Sequence, residues 1–155
     1  MMKIRSADQE IMSDLLDYLK TAPNTTEVPV AAAIFDQQQK QVTIAQNLRE
    51  QTVDPIAHAE IVALRDVSQI NNNWNLEGFS LYVTLEPCLM CAGAVLQSKI
   101  SRVVFGAFNP ETTSQSSVEL LRNGNPQIEV VGGVNEKECS TYLTQWFSEQ
   151  RKSKR

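Results

Sequence analysis

Several residue types are scarce in this chain, and each scarcity excludes a class of protein. Three cysteines among 155 residues cannot form the disulfide framework that stabilises small secreted domains. No apolar run approaches the roughly 18 residues that indicate a membrane-spanning helix. Residues 1–5 lead into an amphipathic stretch without the apolar centre of a secretory signal. The sequence therefore predicts a globular protein with no membrane partner, located in the reducing cytoplasm.

Positive charge is scarce as well. The 14 lysines and arginines are outnumbered by 18 aspartates and glutamates, which gives a net charge of −4 and a pI near 5.0. This balance argues against indiscriminate nucleic-acid binding, which usually needs a broad basic face. The basic C-terminal tail, residues 150–155, is the exception, with Arg151, Lys152, Lys154 and Arg155. It is interpreted either as a solvated, frayed terminus or as a local phosphate contact.

Histidine occurs once, and its surroundings are the most informative feature of the chain. It stands in residues 58–60, His-Ala-Glu, and residues 87–91 read Pro-Cys-Leu-Met-Cys. His58, Cys88 and Cys91 supply three zinc ligands and leave the fourth tetrahedral position open to water, which is typical of catalytic zinc. Glu60 would carry protons beside that water. Either motif alone is weak, since C-x-x-C also occurs in redox pairs, but together they predict a catalytic zinc centre.

The predicted local structure suits this centre. Cys88 and Cys91, three residues apart on the first turn of a helix opened by Pro87, would face the same way. The positive end of that helix favours thiolate, the form that binds zinc. His58 is predicted to begin another helix, entered through Asp54-Pro55. Two helix N-termini must therefore meet at one ion.

Two further side chains are predicted to be structural. Glu86 is expected to cap the cysteine helix or bind its N–H groups rather than act as a second catalytic acid. Cys139 is expected to be a small core residue that is at least partly buried.

Hydrophobic periodicity predicts alternating helices and strands along the chain. The predicted helices are 4–20, 58–67, 87–98, 117–122 and 136–149, and the predicted strands are 28–35, 42–45, 80–85, 102–105 and 128–131. Strand, helix and strand between residues 80 and 105 imply a right-handed parallel crossover. We therefore predict a single α/β domain over residues 1–155, in which three layers (α/β/α) enclose a mixed sheet of about five strands.

At these motifs the chain resembles the bacterial tRNA-specific adenosine deaminases, a branch of the cytidine/deoxycytidylate deaminase-like zinc superfamily. The H-x-E and P-C-x-x-C signature is shared across that superfamily. The Thr-Leu-Glu before Pro87 and the Ala-Gly-Ala after Cys91 are specific to the branch. The resemblance covers nearly the whole chain, and the segments that carry it are residues 27–30, 54–61, 81–94 and 102–107.

The resemblance implies a cytidine-deaminase-like fold and an enzyme that hydrolyses the wobble adenosine of a tRNA anticodon stem-loop to inosine. It implies one zinc ion per subunit, held by His58, Cys88 and Cys91, with Glu60 as the catalytic proton shuttle.

A substrate pocket is implied by the same resemblance. The Asn47 side chain and the backbone around Ala59 would recognise the base, while Val30 and Phe147 would wall the pocket. The resemblance also implies a homodimer that grips RNA across the subunit boundary.

Several positions depart from the family pattern on what is, in the family, the nucleic-acid-facing side. Ala31 stands where members commonly have glycine, and residues 108–113 replace a basic-acidic pair with a nearby Thr-Gly. Residues 114–126 are shortened, and residues 148–150 stand directly after the aromatic pair, where members usually carry arginines. Asn109 in place of an acidic residue removes negative charge from the strand channel, which predicts weak activity on single-stranded DNA beside RNA.

Two other functions compete with tRNA editing. One is a deaminase of free bases or nucleosides such as cytosine or guanine, and the other is an inactive zinc-bearing subunit that only helps to bind RNA. Glu60 argues against the inactive subunit, which would have no use for a proton shuttle.

Overall fold

The alternation of apolar and amphipathic segments produces five helices and five strands in the part of the chain that the structure describes. This computed structural model describes residues 3–22, 26–110 and 116–154. Along the chain the elements are α1 (Ser6–Thr21), β1 (Ala31–Phe35), β2 (Gln41–Gln46), α2 (Ala59–Ile70), β3 (Ser80–Leu85), α3 (Leu89–Ser98), β4 (Arg102–Ala107), α4 (Ser117–Gly124), β5 (Glu129–Val131) and α5 (Glu136–Ser153).

One mixed sheet runs through the centre, with strand order β2-β1-β3-β4-β5. Strand β1 is antiparallel to β2 and to β3, whereas β3, β4 and β5 are parallel. The predicted β1–β2 hairpin and the predicted parallel pairing of β3 with β4 are both confirmed. Because β3 and β4 are parallel, their carboxyl ends meet at the same edge of the sheet, and the candidate site lies at this edge.

Helices cover both faces of the sheet. Helices α1 and α5 pack over one apolar cluster, and helices α2, α3 and α4 pack over the other. The first cluster includes Met12, Leu15, Tyr82, Val104 and Cys139, and the second includes Ala63, Val83, Val95 and Leu121. The predicted three-layer α/β/α architecture is therefore confirmed, as is the burial of Cys139. Among the described residues, no helix combines the length and apolar character needed to cross a bilayer.

The start of α3 differs from the prediction. The helix begins at Leu89 with Cys88 as its N-cap, so Pro87 lies outside it. The missing N–H of Pro87 is therefore not what opens this helix. Cys91 still lies on the first turn, three residues after the cap, which preserves the predicted common direction of the two sulfurs.

The start of α2 differs in a similar way. The helix begins at Ala59 with His58 as its N-cap, one residue after the predicted start at His58. Asp54 instead forms a turn, because its Oδ1 accepts a hydrogen bond from the Ile56 N–H at 3.0 Å. The prediction that Asp54-Pro55 opens the helix was therefore wrong.

The closing helix α5 is longer than predicted and ends at Ser153 rather than Glu149. Arg151 and Lys152 belong to its last turn, where positive charge interacts favourably with the helix dipole. Residues 150–153 therefore belong to α5, and residues 151–154 are exposed to solvent, as expected of a solvated tail. Arg155 lies outside the described residues.

A buried ion pair ties α1 to the sheet. The Asp8 carboxylate accepts hydrogen bonds from Nη1 and Nη2 of Arg102, each at 2.9 Å, and from the Tyr82 hydroxyl at 2.9 Å. It also accepts the Arg5 N–H at 3.0 Å, which caps the helix. Arg102 Nε donates to Glu129 at 3.0 Å. One buried carboxylate therefore joins the first helix to β3 and β4.

We expect Asp8→Asn to lower the free energy of unfolding by about 3 kcal/mol, because the buried Arg102 guanidinium would lose the charge that compensates it. Burial raises the pKa of Asp8, but the hydrogen bonds from Arg102, Arg5 and Tyr82, together with the charge of Arg102, outweigh burial and hold this pKa below its ordinary value of 3.8. The stabilisation is therefore complete above pH 3.8 and is lost as the pH falls through the lower native pKa. Urea unfolding of wild type and variant at neutral and acidic pH measures both effects.

Glu129→Gln is the matched control for this prediction. The Glu129 side chain is 37% exposed, so its removal should cost less than about 1 kcal/mol. An equal loss of stability in the two variants would contradict the assigned role of Asp8.

Candidate metal centre and active site

The N-termini of α2 and α3 converge on one point. His58 is the N-cap of α2, Cys88 is the N-cap of α3, and Cys91 lies on the first turn of α3. These two helices follow different strands, yet the imidazole and both sulfurs come together. Each helix directs the positive end of its dipole toward this point, which favours thiolate over thiol. The predicted meeting of two helix N-termini is what the structure shows.

The distances within this group suit a tetrahedral zinc ion. His58 Nδ1 lies 3.5 Å from Cys88 Sγ and 3.5 Å from Cys91 Sγ. All three candidate ligand atoms lie within 4.8 Å of one another. Zn–S bonds of about 2.3 Å and Zn–N bonds of about 2.0–2.1 Å place neighbouring tetrahedral ligands roughly 3.6 Å apart. The observed spacings therefore fit zinc with His58 bound through Nδ1, and three protein ligands leave one position for a further ligand.

The electrostatics of the group are those expected of closely spaced candidate metal ligands. A hydrogen bond from the Cys91 thiol, with a further contribution from His58, lowers the pKa of Cys88 to about 4 although burial opposes the shift. The same bond, together with burial, raises the pKa of Cys91. The hydrogen bond to Cys88 raises the pKa of His58. Because zinc requires deprotonated ligands, metal binding at this group must release protons.

Glu60 lies in the first turn of α2, beside this group. Its side chain is almost fully buried, and burial raises the pKa of the carboxyl group, although a hydrogen bond from the Cys91 thiol opposes that shift. A carboxyl group with a raised pKa changes protonation state nearer to neutral pH, as a proton carrier must. Three metal-ligand candidates and one buried acid therefore share a site at the carboxyl edge of the sheet.

The family model for the cytidine and deoxycytidylate deaminase zinc-binding region matches residues 5–107 of the chain, which include all four of these residues. The chain belongs to this deaminase family. Its His/Cys/Cys group agrees with the zinc-binding character of the family, so zinc is its cofactor and it is a zinc-dependent hydrolase.

Similarity over the full chain places this deaminase in a narrower branch. It is 42% identical over 151 residues to the tRNA-specific adenosine deaminase of Bacillus subtilis, covering 96% of this chain and 93% of the relative. It is 39% identical over 157 residues to the enzyme of the same name from Haemophilus influenzae, covering 99% and 91%. The chain therefore belongs to the tRNA-specific adenosine deaminases.

Solved structures agree with this fold. A structure from a study of A-to-I editing by tRNA:A34 deaminases superposes with a TM-score of 0.75 at 29% identity, covering 85% of this chain and 97% of that one. Guanine deaminase from Nitrosomonas europaea superposes with a TM-score of 0.79 at 21% identity, covering 93% and 86%. At 21% identity, the similarity to guanine deaminase shows a common fold and nothing more.

Three of the four predicted pocket residues of this deaminase are directly connected. Asn47 Oδ1 accepts the Ala59 N–H at 2.8 Å, and the Asn47 N–H donates to the Val30 carbonyl at 3.3 Å. Asn47 Nδ2 donates to the Val28 carbonyl at 3.0 Å. Since Ala59 lies between His58 and Glu60, these bonds place the Asn47 amide next to the metal centre. That these three residues contact a substrate stays a prediction.

Phe147, the fourth predicted pocket residue, lies on α5. Its side chain is 43% exposed and its ring meets the Trp146 ring edge-on, with centroids 5.1 Å apart. Its role as a pocket wall also stays a prediction.

Glu86 does not cap the cysteine helix as predicted. This buried carboxylate accepts the Asn109 N–H at 3.0 Å through Oε1 and the Ser117 hydroxyl at 3.1 Å through Oε2. It therefore links the end of β3 to the residues after β4 and to the start of α4. Local sequence carries no signal for these links, because the partners lie 23 and 31 residues further along the chain.

Proposed function

We propose that this deaminase converts adenosine to inosine at the wobble position of a tRNA anticodon stem-loop. The convergence of His58 Nδ1 with the sulfurs of Cys88 and Cys91 beside the buried Glu60 is the observation that carries the chemistry. The tRNA substrate is supported by full-length similarity to tRNA-specific adenosine deaminases at 42% and 39% identity.

In the proposed mechanism His58, Cys88 and Cys91 hold zinc and Glu60 moves the proton. When bound, zinc lowers the pKa of a coordinated water molecule to about 7. Glu60 would accept one proton from the attacking water as the water oxygen bonds to the ring carbon that bears the amino group. Glu60 would then pass this proton to the adjacent ring nitrogen. The second proton of the water, now on the hydroxyl group at the attacked carbon, would move through Glu60 to the amino group, so that the C–N bond breaks and ammonia leaves. Adenosine and water thereby become inosine and ammonia.

Asn47 is proposed to orient the base. Its Oδ1 already accepts from Ala59 and one Nδ2 hydrogen is donated to Val28, which leaves a second N–H and a second lone pair for a purine edge. The Ala59 N–H can reach a substrate only by sharing its hydrogen with Asn47. We therefore assign the leading role in base recognition to the Asn47 amide.

The test is an assay that separates the proposed substrate from free bases. Inosine formation in an anticodon stem-loop is measured beside ammonia release from cytosine, guanine and adenosine. We expect inosine to form in the stem-loop and no ammonia to be released from cytosine, guanine or free adenosine. Ammonia from a free base would favour the alternative of a nucleobase or nucleoside deaminase. Turnover of no adenosine in any anticodon loop by zinc-loaded protein would favour an inactive RNA-binding subunit.

We further propose that two copies of the chain form a homodimer through the rim of the metal centre. Val53 and Ile56 precede His58 and are 89% and 42% exposed, while Leu89 and Met90 follow Cys88 and are 44% and 38% exposed. Because His58 and Cys88 are in contact, these four apolar side chains flank one site. Exposed apolar residues around a functional site are typical of an interface. Sedimentation of wild type and a Met90→Glu variant tests this, and a wild-type monomer at micromolar concentration contradicts it.

We also propose that the protein is located in the cytoplasm, which keeps the zinc thiolates reduced.

We further propose that the protein has weak activity on single-stranded DNA. The Asn109 N–H donates to Glu86 at the end of β3, which places this uncharged residue close to the metal centre. Turnover is compared on matched RNA and DNA hairpins, with Asn109→Asp as the control variant. We expect the variant to lose DNA turnover selectively, whereas a wild type inactive on DNA would refute the proposal.

A further inference from the structure

An exposed aromatic ring stands at the edge of the sheet that carries the metal centre. Phe108 directly follows β4 and is 42% exposed. The carbonyl of the preceding residue, Ala107, accepts the Glu86 N–H at 2.8 Å, and Glu86 lies two residues before Cys88. Phe108 therefore follows a residue, Ala107, whose carbonyl is hydrogen-bonded to the chain two residues before the candidate zinc ligand Cys88.

This ring is held in place despite its exposure. It meets the buried Phe105 ring edge-on, with centroids 5.2 Å apart and planes at 88°. It also covers Gly133, where an added Cβ would lie 3.4 Å from Phe108 Cε2. The following residue, Asn109, is anchored through its N–H to the buried Glu86 carboxylate. A ring restrained on one side and open to solvent on the other offers a preformed contact surface that loses little entropy on binding.

We propose that Phe108 is a stacking surface for an unpaired base of the substrate strand next to the reacting adenosine. This inference rests on the proposed function. Proteins that read single-stranded RNA commonly stack its splayed bases on aromatic side chains. The chain has a net charge of −4, so a broad attraction for phosphates is unavailable to it, and stacking supplies affinity that needs no charge. Because Phe108 lies at the same edge of the sheet as the candidate zinc ligands, a base that flanks the reacting adenosine in the same loop is the base we expect to stack on it.

The test compares Phe108→Leu with Phe108→Tyr. Leucine keeps apolar packing against Phe105 and Gly133 but has no aromatic face, while tyrosine keeps the face. We expect Phe108→Leu to raise the KM for the stem-loop roughly tenfold, the order of one base stacked on an aromatic ring, with kcat unchanged. Phe108→Tyr should have the same KM as the wild type. Zinc content and unfolding temperature serve as checks on folding.

A series of stem-loops, each lacking one loop base, identifies the stacked nucleotide. Binding is measured by fluorescence anisotropy. Removal of the stacked base should weaken the binding of the stem-loop to the wild-type protein. The same removal should not change its binding to Phe108→Leu, because that variant has no ring on which the base can stack. Equal binding of the intact loop by wild type and Phe108→Leu overturns the stacking role. A change of oligomeric mass in Phe108→Leu also overturns it, because the ring then contacts a second copy. Absence of inosine from the wild type overturns the proposed function instead, since binding does not depend on turnover.

Discussion

Replacement of Glu60 by alanine is expected to lower kcat by roughly 10²–10⁴-fold, the usual contribution of general acid–base catalysis, while zinc content stays unchanged. Glu60 is the buried carboxyl group beside the three candidate ligands, and its position next to Cys91 lets it reach their common centre. It is not one of the three groups whose atoms cluster at that centre. Its loss should therefore remove proton transfer and spare metal binding. Inosine formation in the stem-loop and zinc per chain are measured on the same protein preparation.

Glu60→Gln is the matched control for this prediction. Glutamine keeps the shape of the side chain and its capacity for hydrogen bonding but cannot carry a proton. Both variants should be equally inactive if proton transfer is the essential role. Substantial activity in Glu60→Gln would mean that Glu60 acts by shape or hydrogen bonding, and loss of zinc from either variant would make it a ligand.

The second large effect is expected from Cys91→Ser, which should lose zinc, activity and thermal stability together. Cys91 is fully buried and its sulfur lies 3.5 Å from His58 Nδ1, so a serine oxygen would leave a buried site with two soft ligands. A ligand present at a thousandfold excess over its Kd stabilises the folded state by about 4 kcal/mol, and this stabilisation would disappear with the metal. Zinc per chain and the unfolding temperature, each with and without a chelator, are the measurements.

Cys139→Ser provides the same chemical change away from the metal centre. Cys139 is as buried as Cys91 but does not belong to the group of candidate ligands, and burial raises the pKa of its thiol to about 12. This variant should keep its zinc and its response to the chelator, whereas Cys91→Ser should keep neither. Full zinc occupancy in Cys91→Ser would count decisively against the proposed ligand set.

The predictions from sequence succeeded where short-range pattern decides the structure. Helix α1 and strands β1 to β4 follow apolar periodicity, and their positions differ from the prediction by a few residues at most. Two of the errors occurred at helix starts. Proline before Cys88 and the Asp54-Pro55 pair both favour helix entry, but His58 and Cys88 have extended backbone geometry as N-caps, so each helix begins only after them. Local preference could not distinguish these positions, because packing of the two helix ends on the sheet edge sets where each helix begins.

Glu86 shows the same limit for a functional side chain. Its sequence neighbours suggested a helix cap, yet its partners are Asn109 and Ser117, which lie far along the chain. A buried carboxylate must be satisfied by whatever donors the fold brings to it, and those donors cannot be read from adjacent residues.

The chemistry of this protein follows from its amino-acid order alone. One imidazole, two thiolates and one carboxylate in the H-x-E and P-C-x-x-C spacing specify a zinc-dependent deaminase, because ligand type and local spacing are properties of covalent order. The fold, in contrast, brings His58 Nδ1 to both sulfurs across 30 and 33 residues of chain. It also brings Asn47 to Ala59 and holds the Phe108 ring against Phe105. These contacts depend on how β3 and β4 align at the sheet edge and how α2 and α3 pack against it. Long-range packing sets those distances, and no local pattern encodes them.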